Sequence, residues 1–197
     1  MAALKGIPGL KVNIDSVDQL RATIELLAVR EVLVGFPEET AGRELEPGDL
    51  PQANDITNAA LGYIHDNGMP EQNIPARPFM IPGMNESIPK VTAALLWTAK
   101  QVLLRRSGEV IESGFTRAGI AAQFAIRRKI NEGVPPPLAD STLRERARRG
   151  RKGAKKELSL RAAGEAPSTQ FAKPLIDTGQ LRNAITYVIR LRKNRSK

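Results

Sequence analysis

The chain has no cysteine and only one histidine among its 197 residues. Without thiols it can build no disulfide framework, thiolate metal site or cysteine nucleophile, and the composition fits a reducing interior. Zinc needs several histidine or cysteine ligands, which His65 alone cannot supply. A Ser-His-Asp triad would have to use the same residue, and no G-x-S-x-G elbow occurs. Phosphate-binding loops of the G-x-x-x-x-G-K-[ST] and G-x-G-x-x-G types are absent, and GRKGAKK at 150–156 lacks the hydroxyl and the flanking strand. No apolar run approaches the length needed to cross a bilayer. The start, MAALKGIPGL, breaks the apolar region a signal sequence requires, so a protein made and kept in the cytoplasm is expected. Asp66 with Glu71, or Asp177, could be imagined as acid–base carboxylates, but local backbone capping explains them more simply, and no enzyme is expected.

What is present is charge, unevenly placed. Residues 1–57 carry ten acidic and five basic side chains, whereas residues 58–197 carry eleven acidic and twenty-five basic. Such a division suits nucleic-acid contact or opposite-charge packing between copies of one chain. A length of 197 residues suits one domain with a real core.

In chain order, Leu10, Val12 and Ile14 alternate as a short extended lead-in. Ser16 to Gln19 has capping-box form ahead of a helix whose face runs through Val17, Leu20, Ile24, Leu27 and Ala28. Val32, Leu33, Val34 and Phe36 read as a strand. Residues 37–54, with three prolines, two glycines and four glutamates, read as an exposed loop.

The organising stretch is Ala59 to Met84. Ile56, Ala59, Ala60, Tyr63 and Ile64 recur at helical spacing with Asp55 placed to cap, and Asn67-Gly68 supplies the stop. Pro75, Pro78 and Pro82 push Ile74, Arg77 and Ile81 toward extended backbone. Two long helices should follow, over 86–106 and 110–130, as an antiparallel pair or one kinked helix. The first has Ile88, Val91, Ala94, Leu95, Thr98 and Val102 along one side; the second is marked by Phe115, Ala118, Ala122, Phe124, Ala125 and Ile126. Gly133 to Leu138 is a stiff polyproline connection, and Asp140 or Ser141 should cap a short helix to Arg149. From Arg144 to Arg161 there are nine basic and two acidic residues, and nothing large and apolar in 148–157, so 148–170 is expected to be a flexible basic arm. Asp177 or Thr178 should cap a turn, after which Ile185, Tyr187, Ile189 and Leu191 alternate as a strand. Residues 1–147 with 171–192 then form one domain, and 193–197 a basic tail.

GYIHDNG at 62–68 followed by NIPARPFMIPGM at 73–84 resembles the signature of a phage virion-morphogenesis family, the tail-completion or neck proteins of tailed phages. The usual form there is A-x-I-H-E-x-G and then I-P-A-R-P-F; Asp66 stands where the acidic residue is usual. A second part of the pattern is matched by KPLIDTGQLRNAITYVI at 173–189, preceded by KINEGVPPPLADSTLRERA at 129–147, while the basic insert at 148–170 departs in detail. The resemblance implies an α+β fold in which a small antiparallel sheet packs against two long helices, with extended loops. It implies a structural protein of the virion's head–tail junction that completes or terminates the tail and joins it to the head. Its partners would be copies of itself in a ring, a hexamer favoured over a dodecamer, and other neck, portal-side and tail-tube proteins, with no cofactor and no membrane. Tyr63, Ile64, His65, Gly68, Ile74, Pro75, Arg77, Pro78 and Phe79 carry the first motif and are the candidate interface anchor. Pro174, Leu175, Asp177, Thr178, Gly179 and Leu181 carry the second.

Arg77, held between prolines, offers five fixed donors suited to a carboxylate or backbone carbonyls. Arg144, Arg146, Arg148, Arg149, Arg151, Lys152, Lys155 and Lys156 are candidate contacts to DNA in the channel or to another subunit. Phosphate binding needs only neutralising charge, and with no aromatic between these cations base stacking is not expected. The alternative to a neck protein is therefore a nonspecific DNA-binding or packaging accessory protein.

Overall fold

A computed structural model describes residues 14–44, 56–104 and 109–192. The lead-in at Leu10 and Val12, the middle of the proline-rich loop, Asp55, the Ser107-Gly108 junction and the basic tail lie outside the described residues. The architecture is α+β. Helix α1 (Ile14–Ala28) leads into strand β1 (Arg30–Gly35) and a short helix α2 (Glu38–Ala41). Then come α3 (Asn58–Asn67), a 3-10 turn at Pro70–Gln72, and the long helices α4 (Met80–Leu103) and α5 (Glu109–Glu132). A second pair, α6 (Asp140–Arg148) and α7 (Lys152–Ala162), precedes the short α8 (Gln180–Ala184) and strand β2 (Thr186–Leu191).

Small residues let α4 and α5 approach closely. A Cβ on Gly83 would fall 2.6 Å from the Ile126 Cα, and one on Gly114 would fall 1.6 Å from the Thr98 hydroxyl. These contacts pair the start of α4 with the end of α5, so the helices run antiparallel. Glu86 closes one end of the seam, accepting from Arg128 at 2.7 Å and Lys129 at 2.8 Å.

The sheet joins the two ends of the chain. β1 and β2 pair antiparallel, with Val32 opposite Ile189 and Val34 opposite Tyr187, and this face lies on α5. The opposite face carries Glu31 and Arg190, ion-paired at 2.8 Å. Phe79, Ile126, Ile130, Val134, Leu175 and Ile185 form the main core, and Val102, Ile111 and Phe115 a second cluster beside it.

Several elements differ from the sequence reading, each for a local reason. α1 reaches back to Ile14, before the expected cap at Ser16. The cap of α3 is Thr57, whose hydroxyl accepts from the Ala60 amide at 3.1 Å. α4 begins at Met80 rather than 86, so Ile81 is helical. Pro82 is tolerated because an amide in the first helical turn has no intrahelical acceptor. Ile88, Leu95 and Phe124, read as parts of apolar helix faces, point to solvent. α6 starts after Ala139 and has no side-chain cap from Asp140 or Ser141.

The largest correction concerns 148–170, which is folded rather than a flexible arm. α7 packs on α6 through Ala154, which meets Leu138, Leu143 and Ala172 in a third apolar cluster. Glu157 is only 1% exposed. Its carboxylate accepts from the Ser168 amide at 2.7 Å and hydroxyl at 2.9 Å, and pairs with Arg161 at 3.1 Å. Burial alone would raise its pKa, but the Ser168 and Arg161 hydrogen bonds outweigh that and hold it below the ordinary glutamate value. Ala154, the partly buried Leu158 and a satisfied buried charge thus anchor a segment whose residues 148–157 hold no large apolar side chain.

Candidate functional site

The first motif is a set of backbone clamps. Gly68 ends α3 at φ 81°, and its amide donates to the Ile64 carbonyl at 2.7 Å. Its missing side chain also matters, since a Cβ would sit 2.7 Å from the Ala76 amide. Met69 and Ile74 exchange two backbone hydrogen bonds of 2.7 and 3.0 Å, closing the turn between them. The chain then returns past α3, where the Arg77 amide donates to the His65 carbonyl at 2.7 Å.

Two side chains finish the connection. Asp66 Oδ1 accepts from the Phe79 and Met80 amides at 2.7 and 3.0 Å, placing a carboxylate at the positive end of α4. Arg77, 5% exposed, donates through Nε to the Pro136 carbonyl at 2.9 Å and through Nη2 to Pro137 at 3.3 Å. The polyproline connection has carbonyls but no amides to offer, and the guanidinium fork satisfies them. Arg77 is thus an anchor within the fold. Phe79 is fully buried and Ile64 and Ile74 are half-buried, whereas Tyr63, Pro75 and Pro78 face solvent.

The second motif is held the same way. Arg146 donates to the carbonyls of Lys173 and Ile176 from Nη1, at 2.9 and 2.8 Å, and to that of Pro174 from Nη2 at 2.8 Å. Asp177 is ion-paired to Arg149 at 2.8 Å and Arg151 at 3.0 Å. It therefore caps no helix. Thr178 Oγ1 instead accepts from the Gln180 amide at 3.3 Å, and Gly179, at φ 93°, starts α8. Leu175 is in the main core and Leu181 packs against it.

The two motifs meet. His65 and Asn58 form one wall of a cavity of about 150 Å³ whose other wall is Arg146, Pro174, Asp177 and Thr178. No hydrogen bond joins His65 to Asp177. The His65 Nδ1 atom is buried without a partner, and the Asp177 carboxylate is occupied by arginines. Among the described residues no three His, Cys, Asp or Glu side chains gather as metal ligands. No helix among them is long and apolar enough to cross a membrane.

The basic residues separate into two groups. Arg146, Arg149 and Arg151, read from sequence as contacts to DNA or another subunit, are engaged inside the fold around Asp177. Arg144, Arg148, Lys152, Lys155 and Lys156 remain on the surface. Glu157, missed in the sequence, left a readable trace in its i,i+4 spacing from Arg161. The capping partnership of Asp66 with residues 79 and 80 left none.

A second surface is apolar. Beside β1 lies a groove of about 460 Å³ with Val32 and Val34 on one wall and Met84, Ile88 and Leu95 on the other. Ile81, Leu96 and Leu103 add to the uncovered part of α4, being 67%, 66% and 60% exposed. Only a narrow stripe of this helix, at Gly83, Ser87, Thr98 and Val102, is buried.

No protein-family model matches the chain, and no curated protein or solved structure is significantly similar to it.

His65 gives a clean pH signature. Burial, reinforced by the Arg77 and Arg146 charges, lowers its pKa below the ordinary histidine value. The unfolded chain then binds the proton more readily. Stability should be fully present above about pH 6.5 and decline as pH falls toward the folded pKa. As His65 is the only histidine, urea midpoints at pH 7.5 and 5.5 should differ in the wild type and lose that component in His65→Gln. An equal difference in both proteins would assign the effect elsewhere.

Proposed function

We propose that the chain is a structural subunit of the phage head–tail neck that completes or terminates the tail by forming a homo-oligomeric ring at the head–tail junction. It works by association and performs no chemistry. The ring joins portal-side and tail-tube neighbours, with six copies favoured over twelve. The observation that carries this reading is the uncovered apolar length of α4, continuing into the groove beside β1. Large exposed apolar patches mark surfaces that a partner covers. The motif residues support it in a different way: Asp66, Arg77, Phe79 and Arg146 hold a frame, as expected of a subunit whose output is geometry. A ring needs two complementary faces on one subunit, related by a closing rotation, and an acidic first part with a basic remainder suits that.

The test is assembly. Light scattering on purified protein should give the mass of a closed ring, and Ile88→Glu with Leu95→Glu should reduce it to the monomer mass. Both side chains are exposed in the single chain, so the double variant should stay folded, with the wild-type circular-dichroism spectrum, and lose only the stability that association adds. A wild type that stays monomeric at high concentration, or a double variant that assembles normally, would refute the reading.

A further inference from the structure

The cations left on the surface of the α6–α7 pair point to a partner of their own. Along α7, Ala154, Glu157, Leu158 and Arg161 turn inward, so Lys152, Lys155 and Lys156 share the outer face. No carboxylate of the described residues lies within ion-pair distance of these lysines, whereas the acidic groups nearby are engaged with arginines. Arg144 and Arg148, exposed on the neighbouring α6, add two more cations, held only by exposed pairs to Asp140 and Glu145 that contribute little and exchange readily.

The placement of the lysines is also unfavourable for the helix itself. α7 has no acidic residue in its first turn and no side-chain cap, so the lysines sit at the positive end of its dipole. A polyanion against this face would relieve that repulsion. Phe171, beside the same face, lies 3.8 Å beneath the Lys156 ammonium, so its ring is covered and not offered to a base. We infer that the outer face of α6 and α7 binds the phosphate backbone of duplex DNA without reading sequence. This does not rest on the ring reading, since the face belongs to a single chain and lies apart from α4.

The experiment is a salt titration of binding to a labelled 30-base-pair duplex by fluorescence anisotropy. Three to five phosphate contacts give a slope of log K against log salt of about −3 to −5. Lys152→Gln with Lys155→Gln should reduce the magnitude of that slope by about 2. The same double variant should melt no lower than the wild type, because it removes cations from the wrong end of a helix; a merely structural role would lower melting. A control pair with the same charge loss, Lys90→Gln with Lys100→Gln on α4, should leave the slope unchanged. Equal loss in both pairs would mean net charge alone, and a Kd weaker than about 100 μM at 50 mM salt would mean no binding surface. Either result overturns the inference.

Discussion

Replacing Phe79 by alanine should destabilise the protein by about 3–5 kcal/mol, the usual loss when a buried aromatic ring is truncated. The ring is fully buried and touches the places where distant parts of the chain converge. Ile126 and Ile130 come from α5, Val134 from the polyproline entry, Leu175 from the second motif and Ile185 from the junction between α8 and β2. No single neighbour can move in to fill the space without releasing another. Equilibrium denaturation in urea is the measurement. Phe79→Leu, which keeps most of the volume, should cost less than half as much, and Phe124→Ala, at an exposed ring on α5, about 0.5 kcal/mol or less. A loss under about 1 kcal/mol for Phe79→Ala would show that the cluster is not the core of the fold.

Arg146→Ala should cost about 3 kcal/mol, for a reason unrelated to apolar packing. Its guanidinium satisfies three carbonyls of the Lys173–Ile176 turn, and truncation leaves them facing a cavity. Hydrogen bonds from a charged donor contribute more than neutral ones, and an unpaired buried acceptor keeps its desolvation cost. Water entering from the cavity side offsets part of that loss, which is why the estimate stays below three full bonds. Arg146→Lys should recover less than half, since one ammonium cannot span three carbonyls that a planar fork reaches together. Urea midpoints of the two variants against wild type decide it. Were Arg146 instead a contact to DNA or a neighbouring subunit, both variants would fold as stably as the wild type.

Local chemistry made much of this protein legible from residues alone. The two long helices follow from their apolar spacing and their good formers, and the strands from β-branched alternation at Val32 to Val34 and at Ile185 to Ile189. Gly68 as a helix stop is a backbone requirement, met at φ 81°. The α+β class followed from these elements together with the family resemblance.

What the sequence could not decide is which charges are spent inside. Arg146 and Lys152 are six positions apart in one basic run, yet the first binds three buried carbonyls and the second faces solvent. Composition treats them alike, because a charge run is defined by what it contains and not by what folds against it. The same holds for 148–170, where Ala154, Leu158 and a buried glutamate anchor a segment whose charge run hides them from a reading of hydrophobicity. Likewise Asp66 caps a helix that begins fourteen residues later, Met80 donating to it across a turn. Sequence by itself determined the elements, since backbone sterics and side-chain period act over a few residues. Tertiary structure alone decided the partners, since a carboxylate or guanidinium is satisfied by whatever donor or carbonyl the folded chain brings within 3 Å.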